Sequence, residues 1–290
     1  MDLKYFDKKL EENIKSLYDR VFKNGKASLI IIDGGIGEGK TTLAVEIADK
    51  FNLLHGKPLL KLEIKDHPQL SLGGREFTSS MRKCFHAKQI ILIYDEAGDF
   101  NKRGSISRFN QMLNRVFETY RGFKVVVILC LPCFEVLDQW LFLNNIPRLL
   151  IHLEKRNNKY GQYKAYSLYR MMYIKSKMKK FVIPTFAYAH VEPNFRGQFY
   201  DLEPDRSEKL NKISIEGKLL SLKRSVITLE GLISYKQLAE RLNKSVMWIK
   251  RAMKKCKITH EKIIDQTKYF DESVLNRLVD YNDTINSKRR

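Results

Sequence analysis

A lysine and a threonine at the head of one helix, and an aspartate and a glutamate at the end of one strand, are the residues of this chain best suited to chemistry. Lys40 and Thr41 close the run GGIGEGKT, which fits G-x-x-x-x-G-K-[ST] from Gly34 to Thr41. Gly34, Gly35, Gly37 and Gly39 let the backbone curl until successive N–H groups point inward at an anion, with Glu38 and Thr42 in the same loop and helix start. Lys40 then reaches the β- and γ-phosphates of a nucleotide, and the Thr41 hydroxyl ligates Mg2+. Further along, QIILIYDE ends in Asp95, placed to hold Mg2+ through water, and in Glu96, placed to orient and deprotonate an attacking water. Phosphoryl transfer depends on positioning and electrostatic stabilisation, so these groups point to ATP and Mg2+ as ligands, with Lys40 and Glu96 as catalytic residues. The sequence has no N-K-x-D run that would read guanine.

Such groups must be carried by strands that end where they are needed. Apolar runs predict strands at 28–33, 58–64, 89–95, 124–130 and 148–153, with helices at 40–53, 74–86, 105–121 and 134–143 between them. The alternation predicts a mostly parallel sheet covered by helices on both faces, with its ligand site at the carboxyl ends of the strands. NNKYG is a turn signal, and QYKAYSLYRMMYI after it reads as a strand returning against 148–155 in a hairpin. The expected fold is α/β, a P-loop NTPase of the RecA-like type with a small C-terminal helix-turn-helix domain. Its expected divisions are an N-terminal amphipathic helix over 1–24, an ATPase core with a basic hairpin extension over 25–184, a lid or linker over 185–224, and the helix-turn-helix domain over 225–290.

Charge narrows the partners. The chain carries 53 Lys and Arg against 33 Asp and Glu, a formal net charge of +20, which implies a polyanionic partner. Nucleic acid is the first choice and a membrane surface the competing one. No apolar run approaches the roughly 18 residues of a membrane span, and the N-terminal helix lacks a signal-peptide core, so a soluble chain of the cytoplasm, or of a host cytoplasm if viral, is expected. Four cysteines are too few for a disulfide framework, and Cys130 and Cys133, though spaced C-x-x-C, have no second ligand pair and read as small buried hydrophobes. Residues 155–184 hold nine Lys or Arg and no acid, with Tyr160, Tyr163, Tyr166, Tyr169 and Tyr173 interleaved. Two readings stand: a nucleic-acid surface of cations and stacking rings, or an edge hairpin whose lysines oppose aggregation.

From Ser225 the pattern is that of a separate module. SYKQLAERLNKSVMWIKRAMKK puts Leu238, Ala239 and Leu242 on one helix, a break at Asn243, and Val246, Ile249 and Met253 on a second. KIIDQTKYF reads as a wing and DESVLNRLVDY as a closing helix capped by Asp271. The arrangement resembles the winged helix-turn-helix of excisionase and MerR-type proteins, and that resemblance implies that Lys244, Ser245, Trp248, Lys250 and Arg251 face duplex DNA. Such modules also dock proteins.

The core carries its own resemblance. A strand ending in Asp-Glu, a helix with several arginines, then VVVILCLPCFEVLD is similar to the FtsK/HerA group of P-loop motors, which includes viral packaging ATPases and Zot-like phage proteins. The sensor strand of that group ends in a polar residue, often Gln, two positions before a proline; here the proline is Pro132 and the position is Cys130. The resemblance implies a homo-oligomer such as a hexameric ring, in which an arginine of one subunit reaches the neighbour's nucleotide. Arg103, Arg108, Arg115, Arg121 and Arg148 lie in candidate segments, and Arg121, at the end of a helix before the sensor strand, is preferred. Three functions fit: a motor that translocates or packages the DNA of a virus or mobile element; a nucleotide-gated DNA-binding switch in partition, replication initiation or transposition; and a membrane-associated assembly or secretion ATPase with a protein-docking tail. Movement on DNA separates the first two, and salt-sensitive DNA binding by the tail separates both from the third.

Overall fold

Leu29, Ile30, Ile31 and Ile32 offer no polar face to solvent, and the strand they form, β1 (Ser28–Asp33), is buried along its whole length. Burying side chains of this kind stabilises by about 2 kcal/mol each, which favours a strand position covered on both faces. In the computed structural model, which describes residues 6–26, 28–63, 67–72, 74–86, 89–95, 103–119, 124–156, 160–226, 232–259, 262–264, 267–271 and 273–287, β1 takes that place. It pairs in parallel with β4 (Val126–Leu131) on one side and β5 (Pro147–Arg156) on the other. Beyond β4 lie β3 (Ile91–Asp95) and the short β2 (Leu70–Ser71), both parallel. Beyond β5 run β6 (Tyr160–Ser167), antiparallel to β5, and β7 (Phe195–Tyr200), antiparallel to β6, so the seven-stranded order is β2-β3-β4-β1-β5-β6-β7.

The two faces of β1 feed two cores. Ile30 and Ile32 pack with α1 (Lys8–Tyr18) and α2 (Lys40–Leu54), through residues such as Ile14, Leu43, Ile47 and Phe51. Leu29 and Ile31 pack with α3 (Gly74–His86), α4 (Arg103–Thr119), α5 (Gln139–Leu143) and α6 (Leu168–Met178), through Phe77, Leu113, Leu141 and Ile174. This is an α/β fold of the P-loop NTPase, RecA-like type, as the alternating pattern implies. No described helix is long and apolar enough to cross a membrane.

Four expectations change. The run 58–64 is no strand apart from an isolated bridge at Glu63. Its Leu60 and Leu62 are buried, but the Leu60 N–H donates to Asp49 Oδ1 (2.6 Å) and the Leu60 carbonyl accepts from Arg206 (3.2 Å). Side chains have taken the backbone groups a sheet would use. The returning strand after NNKYG ends at Ser167, and α6 follows, because Met171, Ile174 and Met178 recur at helical spacing and face inward. Tyr163 and Tyr166 are buried, Lys164 pairs with Glu154, and Lys175 donates to the carbonyls of Glu135 and Leu137 (2.7 and 2.6 Å), so those residues are not a stacking surface for bases. The segment 185–224, read as a lid or linker, holds the edge strand β7 and most of α7 (Pro204–Val226), whose Leu210 and Ile213 are core residues.

The chain forms two compact units, Met1–Gly217 and Lys218–Arg290. The second unit contains β8 (Leu232–Ser234), α8 (Tyr235–Arg241), α9 (Val246–Lys255), β9 (Lys262–Ile264), β10 (Thr267–Asp271) and α10 (Val274–Ser287). Its sheet has the antiparallel order β8-β10-β9, and Ile233, Leu238, Ile249, Met253, Phe270 and Leu278 form its core. Ser234 and Gln237 make a reciprocal cap on α8, Ser245 accepts from the Trp248 N–H (3.1 Å) to cap α9, and Asn243 takes a left-handed φ of 48° between them. Val246, expected inside, is exposed, since the first turn of α9 lies at the edge of this core.

In the first unit α7 is fastened to α2 by one buried ion pair. Arg206 donates to Asp49 Oδ2 at 2.6 Å, and Asp49 is almost wholly buried. Burial pushes the Asp49 carboxyl up to about 6, against the lowering pull of Arg206 and the Leu60 N–H. Because the folded pKa lies above the unfolded one, this group's contribution to stability is fully present below about pH 4 and is lost as pH rises through about 6. Arg206→Ala leaves the carboxylate unpaired and raises its pKa further. The substitution should cost about 3 kcal/mol at pH 8 and clearly less at pH 5, as measured by urea unfolding; an equal cost at both pH values would exclude the ionised pair as the fastening.

Candidate active site

All parallel strands of the sheet point their carboxyl ends the same way, and three of those ends build the site. β1 delivers the loop Gly34–Gly39, and α2 begins at once with Lys40. Gly34 has a φ of 147° and Gly39 one of 87°, conformations that residues with a Cβ rarely adopt. A Cβ on Gly34 would also lie 2.9 Å from the Leu153 Cβ of β5, so the loop leaves the sheet by a path only glycine allows. Lys40 Nζ donates back across the loop to the carbonyls of Gly34 (2.8 Å) and Gly35 (2.5 Å).

β3 delivers Asp95. Its Oδ2 accepts from Thr41 Oγ1 at 2.8 Å, which brings together the hydroxyl and the carboxylate expected to serve Mg2+. Mg2+ prefers oxygen ligands and keeps several waters, so a hydroxyl, a water-bridged carboxylate and phosphate oxygens suit it. Among the described residues no group of three or more His, Cys, Asp or Glu could hold a metal by itself. Glu96, expected beside Asp95, lies outside the described residues.

Between β1 and β3 the end of β4 places Cys130 level with Ile32 on one side and Asp95 on the other. Burial, then the neighbouring Asp95, raises the Cys130 thiol well above its ordinary pKa, so this position carries a neutral thiol. Cys133 packs against the opposite core from Cys130, so the C-x-x-C spacing does not bring the two together. Cys133 too is pushed up, to about 12, chiefly by burial.

Glu38 behaves differently from its expected phosphate-binding neighbours. Its Oε2 accepts from the Gly35 N–H at 2.7 Å, so a carboxylate occupies one donor of the anion-binding loop. Gly37 has a left-handed φ of 82°, and Thr42 is half-buried in the first turn of α2.

Asp33 joins the site as a residue that the motif spacing does not single out. This carboxylate, at the end of β1, is buried and accepts from the Phe134 N–H (3.1 Å), His152 Nδ1 (2.8 Å) and the Tyr188 hydroxyl (2.5 Å). A carboxylate only accepts, so the His152 proton sits on Nδ1. Tyr188 stacks on His152 with ring centroids 3.6 Å apart, and burial, then Asp33, raises its hydroxyl well above the ordinary range. The available signal was an acid ending the apolar run LIIIID immediately before the first glycine.

Of the arginine candidates, Arg121 lies outside the described residues, as do the side chains of Arg103 and Arg108. Arg115 is exposed on α4. Arg148 stands near the amino end of β5, away from the loop end of the sheet, with burial and then nearby Arg20 lowering its pKa. In the second unit Lys244, Ser245, Lys250 and Arg251 are exposed and Trp248 is half-buried. Lys244 lies over the Trp248 ring at 5.6 Å and Lys250 over Tyr235 at 5.6 Å.

No family model matches the sequence, and no curated protein matches it. Among solved structures it is similar to the N-terminal domain of zonular occludens toxin from Neisseria meningitidis, at 13% identity over 63% of this chain and 98% of that one, with a TM-score of 0.35. It is also similar to a KaiC-like protein from Pyrococcus horikoshii OT3, at 14% identity over 51% of this chain and 83% of that one (TM-score 0.28). A DNA replication initiation factor matches at 14% identity over 84% of this chain and 73% of that one (TM-score 0.30). The fold assignment rests on the strand order and the phosphate loop themselves.

Glu38→Ala frees the Gly35 N–H and removes a negative charge from a loop shaped for phosphate, so affinity for a fluorescent ATP analogue with Mg2+ should rise about threefold to tenfold. Unchanged or weaker binding would show that Glu38 does not compete with phosphate.

Proposed function

We propose that this chain is an ATP-hydrolysing, DNA-binding motor that translocates or packages DNA as a homo-oligomeric ring. The observation that carries the hydrolytic half is the 2.8 Å contact of Thr41 with Asp95 beside Lys40, on a loop whose backbone is held open by Gly34 and Gly39. In this reading the N–H groups of the loop and Lys40 hold the β- and γ-phosphates, moving Lys40 from the Gly34 and Gly35 carbonyls it now contacts. Thr41 and Asp95 would hold Mg2+, whose charge would offset that of the phosphates. Glu96 orients the attacking water and takes its proton. Arg121 of a neighbouring subunit completes the site, as the resemblance to the FtsK/HerA group implies.

The DNA-binding half rests on the second unit. Its capped helices α8 and α9, the turn at Asn243 and the β9–β10 hairpin have the order of a winged helix-turn-helix, with residues 225–290 as that domain. α9 exposes Lys250, Arg251, Lys254 and Lys255 to solvent, and Lys244 flanks its cap. Residues 207–290 carry 19 basic and 10 acidic side chains. A nucleotide-gated DNA-binding switch uses the same parts without sustained movement, and a single-molecule translocation assay divides the two.

Lys40→Ala should weaken ATP binding severely, while Glu96→Gln should retain bound ATP and lose turnover at least a hundredfold, since one removes a ground-state phosphate contact and the other a water-positioning group. Equal hydrolysis by wild type and Glu96→Gln would remove Glu96 from the mechanism. In the full chain, Lys250→Ala and Arg251→Ala should each weaken duplex DNA binding and lower the slope of log affinity against log salt by about one. Binding with an unaltered slope in both variants would place the DNA contacts elsewhere.

A further inference from the structure

α6 shows two apolar faces, and the core uses only one of them. Met171, Ile174 and Met178 are buried, while Tyr169 (82% exposed), Met172 and Tyr173 look outward at i, i+3 and i+4. At the helix end, Lys180 N–H donates to the Lys177 carbonyl (2.8 Å) and Phe181 N–H to that of Met178 (3.3 Å), and the chain turns. Val182 then stands fully exposed, followed by exposed Ile183 and Phe186. The base beneath them is firm: Ala187, Tyr188 and Val191 are buried, Tyr188 is bonded to Asp33, and Phe181 stacks on His190 at 5.1 Å. A protruding aliphatic pair is therefore displayed on an anchored support beside an aromatic helix face.

The exposed charges next to this tip along the chain are lysines, while Glu135 and Asp138 lie near Lys175 further back on α6. Lys179 and Lys180 are exposed and make no ion pair among the described residues, and Lys177 lies over the Tyr173 ring at 5.2 Å. From Lys155 to Val191 the sequence contains no Asp or Glu. Self-association through this surface would bring the exposed Lys179 and Lys180 of two copies together. A nucleic-acid strand would use the lysines and rings but has no place for Val182 and Ile183, which cannot stack on bases as rings do. An anionic bilayer meets every part: aliphatic side chains enter the acyl boundary, Tyr and Phe sit at headgroup level, and lysines face the lipid charge.

We propose that this surface docks the chain on an anionic lipid bilayer, with Val182 and Ile183 entering the interface and Lys179 and Lys180 against the headgroups. The inference is independent of the DNA-binding reading, because its residues lie in the first unit.

The test is flotation of the purified full chain with vesicles of about two parts phosphatidylcholine to one part phosphatidylglycerol, and with phosphatidylcholine vesicles alone. The mixed vesicles should bind it at least about tenfold more tightly than the neutral ones. Val182→Asp combined with Ile183→Asp should reduce binding to the mixed vesicles about tenfold or more, with an unchanged thermal unfolding midpoint because both side chains are exposed. Lys179→Gln and Lys180→Gln, which leave the apolar tip intact, should each reduce it about fivefold. The proposal is overturned if no vesicle binds, if the double aspartate variant binds as wild type does, or if that variant loses single-stranded oligonucleotide binding or self-association while vesicle binding stays the same.

Discussion

A polar group can sit at the end of a wholly buried strand only if the surrounding fold supplies its hydrogen bonds, and Asp33 is such a group. Three donors reach it: a backbone N–H after β4, a histidine of β5 and a tyrosine of the 3-10 segment Pro184–His190. The next residue is Gly34, where the phosphate loop begins. The exit of β1 is thus held by the segments around it before the loop curls. Leaving those donors unpaired in the interior would cost about 1–3 kcal/mol each, which makes this carboxylate a strong constraint on the geometry of the site.

On the other face of the sheet, α2 is held at both ends. Thr41 in its first turn meets Asp95, and Asp49 further along meets Arg206 of α7. The helix that follows the phosphate loop is therefore tied to the strand carrying the metal-directed aspartate and to the helix that ends the first unit. Both ties are hydrogen bonds to a carboxylate, and the Asp49 pair is deep enough that burial outweighs its arginine in setting the pKa. A displacement of α7 that separated Arg206 from Asp49 would carry a cost of a few kcal/mol felt directly in α2.

The excess positive charge serves distinct surroundings. Lys175, in the basic run after β5, is turned inward onto carbonyls and over the Phe142 ring at 5.0 Å, with burial lowering its pKa to about 8. Lys179 and Lys180 face solvent beside exposed apolar side chains, and the lysines of α9 line a helix exposed in the second unit. A count of basic residues treats these alike, whereas their burial separates a structural cation from cations free to meet a polyanion.

The sequence by itself determined the features that depend on neighbours along the chain. The phosphate loop, the strand leading into it, Asp95 at the end of another strand, and the break between α8 and α9 all follow from spacing, glycine placement and helix capping. Tertiary structure alone decided which groups meet across long separations. Asp33 finds His152 and Tyr188 at 119 and 155 residues' distance, and Asp49 finds Arg206 at 157. It also decided that Leu60 would bond to Asp49 and Arg206 instead of a neighbouring strand, and that the tyrosines after the turn would divide between a buried strand and an exposed helix face. Local patterns state what conformation a segment prefers. Which partner satisfies a buried polar group, and which apolar face is covered, depends on segments distant in sequence that the chain brings together only on folding.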